Sequence, residues 1–264
     1  MSIFEALILG IIQGLTEFLP VSSSGHLELG SVILGTKTSD NLLFSILVHA
    51  ATALSTIIIF RQQIIELLVD LFKFEWNEST RYIAMIILSM IPVGIIGVFF
   101  EDKVESLFSG QILLVSIMLI ITGTLLLISN YTKPKDGSVN FPKALIIGLA
   151  QSIAIMPGIS RSGATITTGL FLGVERSKAA KFSFLMVLPP ILGAALLKTL
   201  DLLKAPEMTT SISSTALIVG FIAAFVSGLI ACKWMINLVK RGKLIYFAYY
   251  CFIVAAIGII ASFN

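Results

Sequence analysis

The sequence predicts an all-α polytopic membrane protein, with six transmembrane helices and two re-entrant helix-tip-helix hairpins in an inverted-topology repeat. Three observations carry this prediction. Of the 264 residues, 56% are hydrophobic and only 12% charged, against roughly 25% charged in an ordinary soluble domain. Charge-free runs at 42–60, 83–100, 106–132, 208–232 and 244–264 reach or approach the roughly 20 residues that a spanning helix needs. The chain also repeats itself. ALILGIIQ at 6–13 returns as ALIIGLAQ at 144–151, and the same offset of 138 aligns Ser22, Ser24 and Gly25 with Ser160, Ser162 and Gly163, and FSIL at 44–47 with FSFL at 182–185. Such a duplication points to an inverted repeat with a central site.

Each element follows from local chemistry. Residues 5–18 suit a helix that Pro20 ends, and 25–34 return from it. Residues 141–156 suit a second helix, ended by Pro157 and Gly158, with 163–172 returning. Broken backbone at membrane depth is tolerated only where protein or a water-filled cavity satisfies it, so both segments read as re-entrant. Three spans follow each hairpin: 42–60, 83–100 and 106–132, then 182–197, 208–232 and 244–264. The short run 182–197 is extended by Lys198, which can snorkel to the surface. Three is odd, so the second copy is upside down relative to the first. The whole chain, 1–264, reads as one membrane domain with repeats at about 1–130 and 140–264. No basic residue precedes the first apolar stretch, which also carries Glu17, so it does not read as a cleavable signal. Cys232 and Cys251 have neither disulfide nor metal spacing and read as apolar filler. The stretch holding Glu66, Asp70, Glu75 and Glu78 reads as a wet loop. Small residues such as Gly94, Gly97, Gly193 and Ala194 read as sites of close helix packing, or alternatively as the floor of a lateral groove.

Basic residues orient the chain. One face receives Arg61, Lys73, Arg81, Lys133, Lys135, Lys143, Arg176, Lys178, Lys181, Lys233, Lys240, Arg241 and Lys243, and the other only Lys37, Lys103, Lys198 and Lys204. By the positive-inside rule both termini lie outside, the first hairpin dips from the exterior, and the second rises from the cytoplasm. Membrane orientation accounts for the basic excess and argues against nucleic acid as a partner.

The tips carry the chemistry. QGLTEFLPVSSSGH at 13–26 offers Gln13 and Glu17 one helical turn apart, then Ser22, Ser23, Ser24, Gly25 and His26. PGISRSGAT at 157–165 offers Ser160, Arg161, Ser162 and Thr165. Each Ser and Gly-rich turn opens a helix whose free amides and positive dipole end suit an anion, and Arg161 adds a planar fork matched to phosphate oxygens. Ser22, Ser24, Gly25, Ser160, Arg161, Ser162 and Thr165 are the expected phosphate binders, with Gln13 and His49 supporting. The blander reading makes the serines simple helix caps and Arg161 a structural partner of Glu17, but ionisable groups at membrane depth are functional by default.

These two motifs, in order and correctly spaced, resemble the signatures of the undecaprenyl-diphosphate phosphatases of the bacitracin-resistance type, and the resemblance extends along nearly the whole chain. It implies an integral enzyme of the bacterial inner membrane that hydrolyses the C55 lipid diphosphate to the monophosphate and inorganic phosphate. That activity recycles the carrier for cell-wall synthesis and confers bacitracin resistance. It also implies six spans with two re-entrant hairpins, a magnesium or calcium ion, frequent homodimers and a site open to the exterior. Matched position by position, it makes Glu17, Ser23, His26, Ser160 and Arg161 the motif residues. Gln13 stands where relatives also carry an acidic residue. Phe44 is followed by Ser45, where relatives often have an acidic residue.

Diphosphate hydrolysis needs positive charge on the phosphoryl oxygens, an in-line nucleophile and help for the leaving phosphate. Arg161 and the tip amides would hold the terminal phosphate. Ser23 is the candidate nucleophile through a phosphoserine, with His26 as its base. Glu17 either orients His26 or binds a divalent cation. Direct attack by water, with Glu17 or His26 as base, stays open. A flippase for polyprenyl phosphates on the same architecture is the alternative.

Overall fold

A computed structural model describes residues 1–36, 42–100, 111–133, 135–204 and 212–263. Over these residues the protein is helical, without strands apart from one isolated bridge between Gly137 and Val174. The helices are α1 (Ile3–Phe18), α2 (Ser23–Leu34), α3 (Leu42–Ile59), α4 (Arg61–Leu71), α5 (Glu78–Phe99), α6 (Ile112–Asn130), α7 (Phe141–Ile153), α8 (Arg161–Phe171), α9 (Arg176–Met186), α10 (Leu188–Lys204), α11 (Ser214–Lys240) and α12 (Ile245–Ser262). Five stretches are long and apolar enough to cross a membrane: α5, α6, the α9–α10 run from Arg176 to Leu197, α11 and α12. A sixth is added if α3 and α4, bent by 78°, count as one. Each coincides with a run expected from the sequence. Residues 106–110 and 208–211 of two expected spans lie outside the described residues, as do Lys37 and Lys103 and the side chains of Lys198 and Lys204.

Helix boundaries follow from their end residues. Ser2 and Glu5 close a capping box at the start of α1. Leu19 is extended, as a residue before proline prefers, so α1 stops at Phe18. Asn140 caps α7, with Pro142 in its first turn, and the helix ends at Ile153, three residues earlier than expected. The expected wet loop after residue 60 is largely helical. Its helix α4 leaves Ile65, Leu68 and Val69 exposed beside Glu66 and Asp70, because a chain emerging among lipids can keep apolar groups on a surface helix.

Packing crosses between the two halves of the chain. Helix α1 lies along α11, α7 lies along α5, α3 lies between α10 and α11, and α6 pairs with α12. Glycines set the first two crossings. A Cβ on Gly10 would overlap the Gly220 carbonyl, one on Gly14 the Ser227 hydroxyl, and one on Gly148 the Ser89 carbonyl. Gly10 and Gly148 are equivalent positions of the repeat. Ser55 Oγ donates to the Phe225 carbonyl at 2.8 Å, tying α3 to α11. The close-packing role expected of Gly94, Gly97 and Gly193 is not found among the described residues, none of which lies within 4 Å of a Cβ at any of them. Ala194 instead lines the central cavity.

Gly148→Ala should therefore push α7 off α5 and lower stability by about 1–3 kcal/mol. Gly97→Ala, in open space within a helix, should be neutral or stabilising by up to about 1 kcal/mol. Thermal unfolding of both variants in the same detergent checks the contrast.

Candidate active site

Both hairpin tips use one capping device. The Ser22 hydroxyl accepts the Gly25 N–H at 3.3 Å, and the Ser160 hydroxyl accepts the Gly163 N–H at 3.1 Å. In each tip the capping serine also lies 3.3 Å, oxygen to oxygen, from the serine two residues on. The second tip turns at Gly158, whose φ of +95° an L side chain rarely adopts. Thr122 of α6 secures that tip: its hydroxyl donates to the Gly158 carbonyl at 3.1 Å and accepts the Ser160 N–H at 3.0 Å.

The tips touch each other. Ser162 Oγ donates to the Leu19 carbonyl at 3.3 Å, and Arg161 Nη2 forms an ion pair with Glu17 Oε1. The other Glu17 oxygen accepts Gln13 Nε2 at 2.9 Å and Ser23 Oγ at 2.7 Å, and His49 Nε2 stands 3.9 Å away. Only 5% of the Glu17 side chain is exposed. A carboxylate removed from solvent in this way is tolerated because charged and neutral donors surround it.

Beside this cluster lies a cavity of about 260 Å³. Glu17, Ser22, Ser23, Ser24, Ser160 and Arg161 form its polar wall. His49 and Gln151 join them, and Val93, Pro190, Ile191 and Ala194 of α5 and α10 make an apolar flank. His49 Nδ1 bonds the Ser45 carbonyl at 2.8 Å, so that nitrogen carries the hydrogen and Nε2 faces Glu17.

The expected residues thus divide. The structure brings Glu17, Ser22, Ser23, Ser24, His49, Ser160 and Arg161 to the cavity. Gln13 is fully buried behind Glu17 as its donor. Gly25, Ser162 and Thr165 lie outside the wall, and the Thr165 hydroxyl is 2.6 Å from that of Ser183. His26 is not brought to Ser23. Its ring nitrogens meet the Ser22 carbonyl and the Tyr250 hydroxyl, each at 2.8 Å. The reason is steric: three residues into α2, its side chain leans back over the first turn instead of across to the neighbouring hydroxyl.

Sequence reasoning missed Gln151 and Tyr250. Gln151 is 3% exposed, and among the described residues neither of its amide atoms has a partner. It is the repeat-mate of Gln13, a signal that was present in the sequence. Tyr250 lies 224 residues from His26, and no local pattern marks it.

Among the described residues no three His, Cys, Asp or Glu side chains gather to hold an ion. Glu17 is the one carboxylate among the described residues that lines the cavity, and both of its oxygens already accept donors. These residues fit a divalent cation only as a companion of the diphosphate, with phosphate oxygens and water as its other ligands.

Fold and site together define a polytopic helical membrane protein with an ion-paired, hydroxyl-lined cavity beneath two helix tips. The chain belongs to the family described as bacitracin resistance protein BacA, whose profile matches residues 6–257. It is 56% identical over 260 residues to an undecaprenyl-diphosphatase of Bacteroides fragilis, covering 98% of each chain. Identity to that of Bacteroides thetaiotaomicron is 54% over 263 residues, covering 99% of this chain and all of the relative. The undecaprenyl-diphosphatase of Christiangramia forsetii is 51% identical over 265 residues, covering 100% of this chain and 99% of its own.

Arg161→Ala should leave the Glu17 carboxylate buried and unpaired, lowering stability by about 3–5 kcal/mol. Adding Glu17→Gln should recover most of that loss. Thermal unfolding of the single and double variants reads both.

Proposed function

We propose that the cavity is where the chain hydrolyses undecaprenyl diphosphate to undecaprenyl phosphate and inorganic phosphate, with Ser23 as nucleophile. The observation that carries this assignment is the 2.7 Å hydrogen bond from the Ser23 hydroxyl to Glu17. Recycling of the lipid carrier for cell-wall synthesis, and with it bacitracin resistance, follows.

Ser23 Oγ attacks the terminal phosphorus as the bridging P–O bond breaks. Its proton passes to Glu17, and the lipid monophosphate departs. His49, facing the same carboxylate oxygen, takes that proton onward. Water then splits the phosphoserine, releasing inorganic phosphate and restoring the hydroxyl. Arg161 and the hydroxyls of Ser22, Ser24 and Ser160 hold the phosphoryl oxygens, and Gln151 adds an unspent amide donor. In this reading Glu17, not His26, is the base beside Ser23. Magnesium or calcium, entering with the diphosphate, would supply further positive charge for the leaving phosphate. The apolar flank of Val93, Pro190, Ile191 and Ala194, next to the open space at Gly94 and Gly193, suits the first isoprene units of the lipid.

The same reading makes the two hairpins re-entrant and the repeat inverted. At 16, 12, 13 and 11 residues, α1, α2, α7 and α8 are about 16–24 Å long, short of a bilayer core of roughly 30 Å. Contact between the tips, and equivalent glycines at equivalent crossings, support it. The orientation with both termini outside draws on the basic residues. Lys178 reaches Ser138 at 3.0 Å, Lys143 reaches the Ser138 carbonyl at 3.2 Å, and Lys181 sits 6.0 Å from the Tyr82 ring centre, so several basic segments gather at one end. A homodimer in the inner membrane completes the proposal, on resemblance alone.

Inorganic phosphate release from polyprenyl diphosphate should be abolished by Ser23→Ala, and it should fall at least about 10²-fold in Arg161→Ala. Radiolabelled phosphoserine trapped at Ser23 would support the covalent route, whereas full activity in Ser23→Ala would leave direct water attack. No release from folded protein that still binds the lipid would favour the flippase. For topology, single cysteines at positions 61–82 should label from the cytoplasmic face only and those at 101–111 from the exterior, and labelling from one side would overturn the arrangement.

A further inference from the structure

We propose that Tyr250, on the last helix, is a positioning residue for the reaction: it fixes His26 as a brace on the Ser22 carbonyl and so sets the backbone that aims Ser23. The inference rests on Ser23 as nucleophile. It starts from a strained residue. Ser22 has φ +70° and ψ +97°, a conformation that L residues rarely adopt and that persists only where the surroundings hold it, at roughly 1–3 kcal/mol.

His26 supplies the hold. The Ser22 carbonyl accepts the His26 backbone N–H at 3.1 Å and His26 Nδ1 at 2.8 Å. A carbonyl can only accept, so Nδ1 carries a hydrogen. In the neutral ring that leaves Nε2 as an acceptor, and Nε2 meets the Tyr250 hydroxyl at 2.8 Å. The two rings also stack, with centres 5.5 Å apart and planes 14° from parallel. Donation therefore runs from Tyr250 O–H to His26 Nε2, and from Nδ1–H to the Ser22 carbonyl, each bond polarising the next. The peptide whose carbonyl is held is the one that joins Ser22 to Ser23, so its orientation sets the direction of the Ser23 side chain toward Glu17.

The second tip provides the internal comparison. Its capping serine, Ser160, has an ordinary φ of −74°, and the repeat position matching His26 is Ala164. At the strained tip, which carries the nucleophile, the carbonyl of the capping serine is held by a ring as well as by a backbone N–H. At the relaxed tip Ala164 offers the Ser160 carbonyl only its backbone N–H, and Thr122 secures the turn from the other side. His26 itself is not on the cavity wall, in keeping with action through Ser22 and not on substrate.

Three full-length variants in detergent test this: Tyr250→Phe, His26→Ala and the pair. Tyr250→Phe should lower kcat on the order of tenfold or more, as expected for a displaced nucleophile, with KM nearly unchanged. In the His26→Ala background, Tyr250→Phe should cause no further loss. Both histidines of the chain should appear as Nδ1–H tautomers in the ¹⁵N spectrum, since each Nδ1 faces a carbonyl. The set assigned to His26 should disappear in His26→Ala and become a tautomer mixture in Tyr250→Phe, while that of His49 stays. Wild-type kcat in Tyr250→Phe, or losses that add, would overturn the proposal. So would an Nε2–H tautomer at His26 in the unaltered protein, a measurement that needs no folded variant. Ser23→Ala is run beside them. An active Ser23→Ala overturns the nucleophile reading, whereas an inactive one with fully active Tyr250→Phe overturns the brace alone.

Discussion

A single carboxylate organises this molecule. Glu17 sits almost wholly buried at the end of α1, and a charge so placed among apolar helices is tolerable only with charged and neutral donors in contact. Gln13 and Ser23 come from its own hairpin, but the compensating charge, Arg161, comes from the other. The two tips must therefore meet for either to be stable. Once they meet, both capped helix starts, five tip serines and a permanent cation lie within one small volume. The arrangement that satisfies the fold is thus the arrangement that suits a diphosphate, and the structural and functional readings of Arg161 are two sides of one contact.

The scaffold around the tips serves that meeting. Helices α1 and α7 are each pressed against a helix of the opposite half by glycines that leave no room for a side chain. Close backbone approach of this kind replaces the hydrophobic driving force that lipid removes. Thr122 reaches from α6 to satisfy broken backbone at the second tip, as any irregular segment inside a membrane protein requires. Elsewhere the glycines are not packed. Among the described residues nothing crowds Gly94 or Gly193, whose neighbours Val93 and Ala194 belong to the apolar flank of the cavity. A polar wall beside an apolar flank is the combination that suits an amphiphile with a charged head and a long apolar tail.

Much of this was legible in the sequence because it is written in short-range patterns. Membrane class follows from composition, the end of α1 from Pro20, the starts of α2 and α8 from the Ser-x-x-Gly caps, and the duplication from two octapeptides; α7 stops at Ile153, short of Pro157. Partners related by long-range geometry were less accessible. The sequence made His26 the base for Ser23 because three residues separate them, yet along the first turn of α2 the imidazole points to Ser22 and Tyr250. His49, which the sequence treated as supporting, faces Glu17. Gly97 and Gly148 are indistinguishable by residue type, but one faces open space and the other a carbonyl.

By itself, then, the sequence determined the apolar class, most of the apolar helices and the interruptions at the two tips, and which residues carry charge or hydroxyl there, since each depends on neighbours a few positions away. Only the tertiary structure decided which of these groups share a cavity. It turned His26 away and His49 inward, left Gln151 without a partner among the described residues, and joined Tyr250 to a tip 224 residues distant. The physical reason is that hydrogen bonds and ion pairs act over about 3–4 Å, a distance that helix packing sets and spacing along the chain does not.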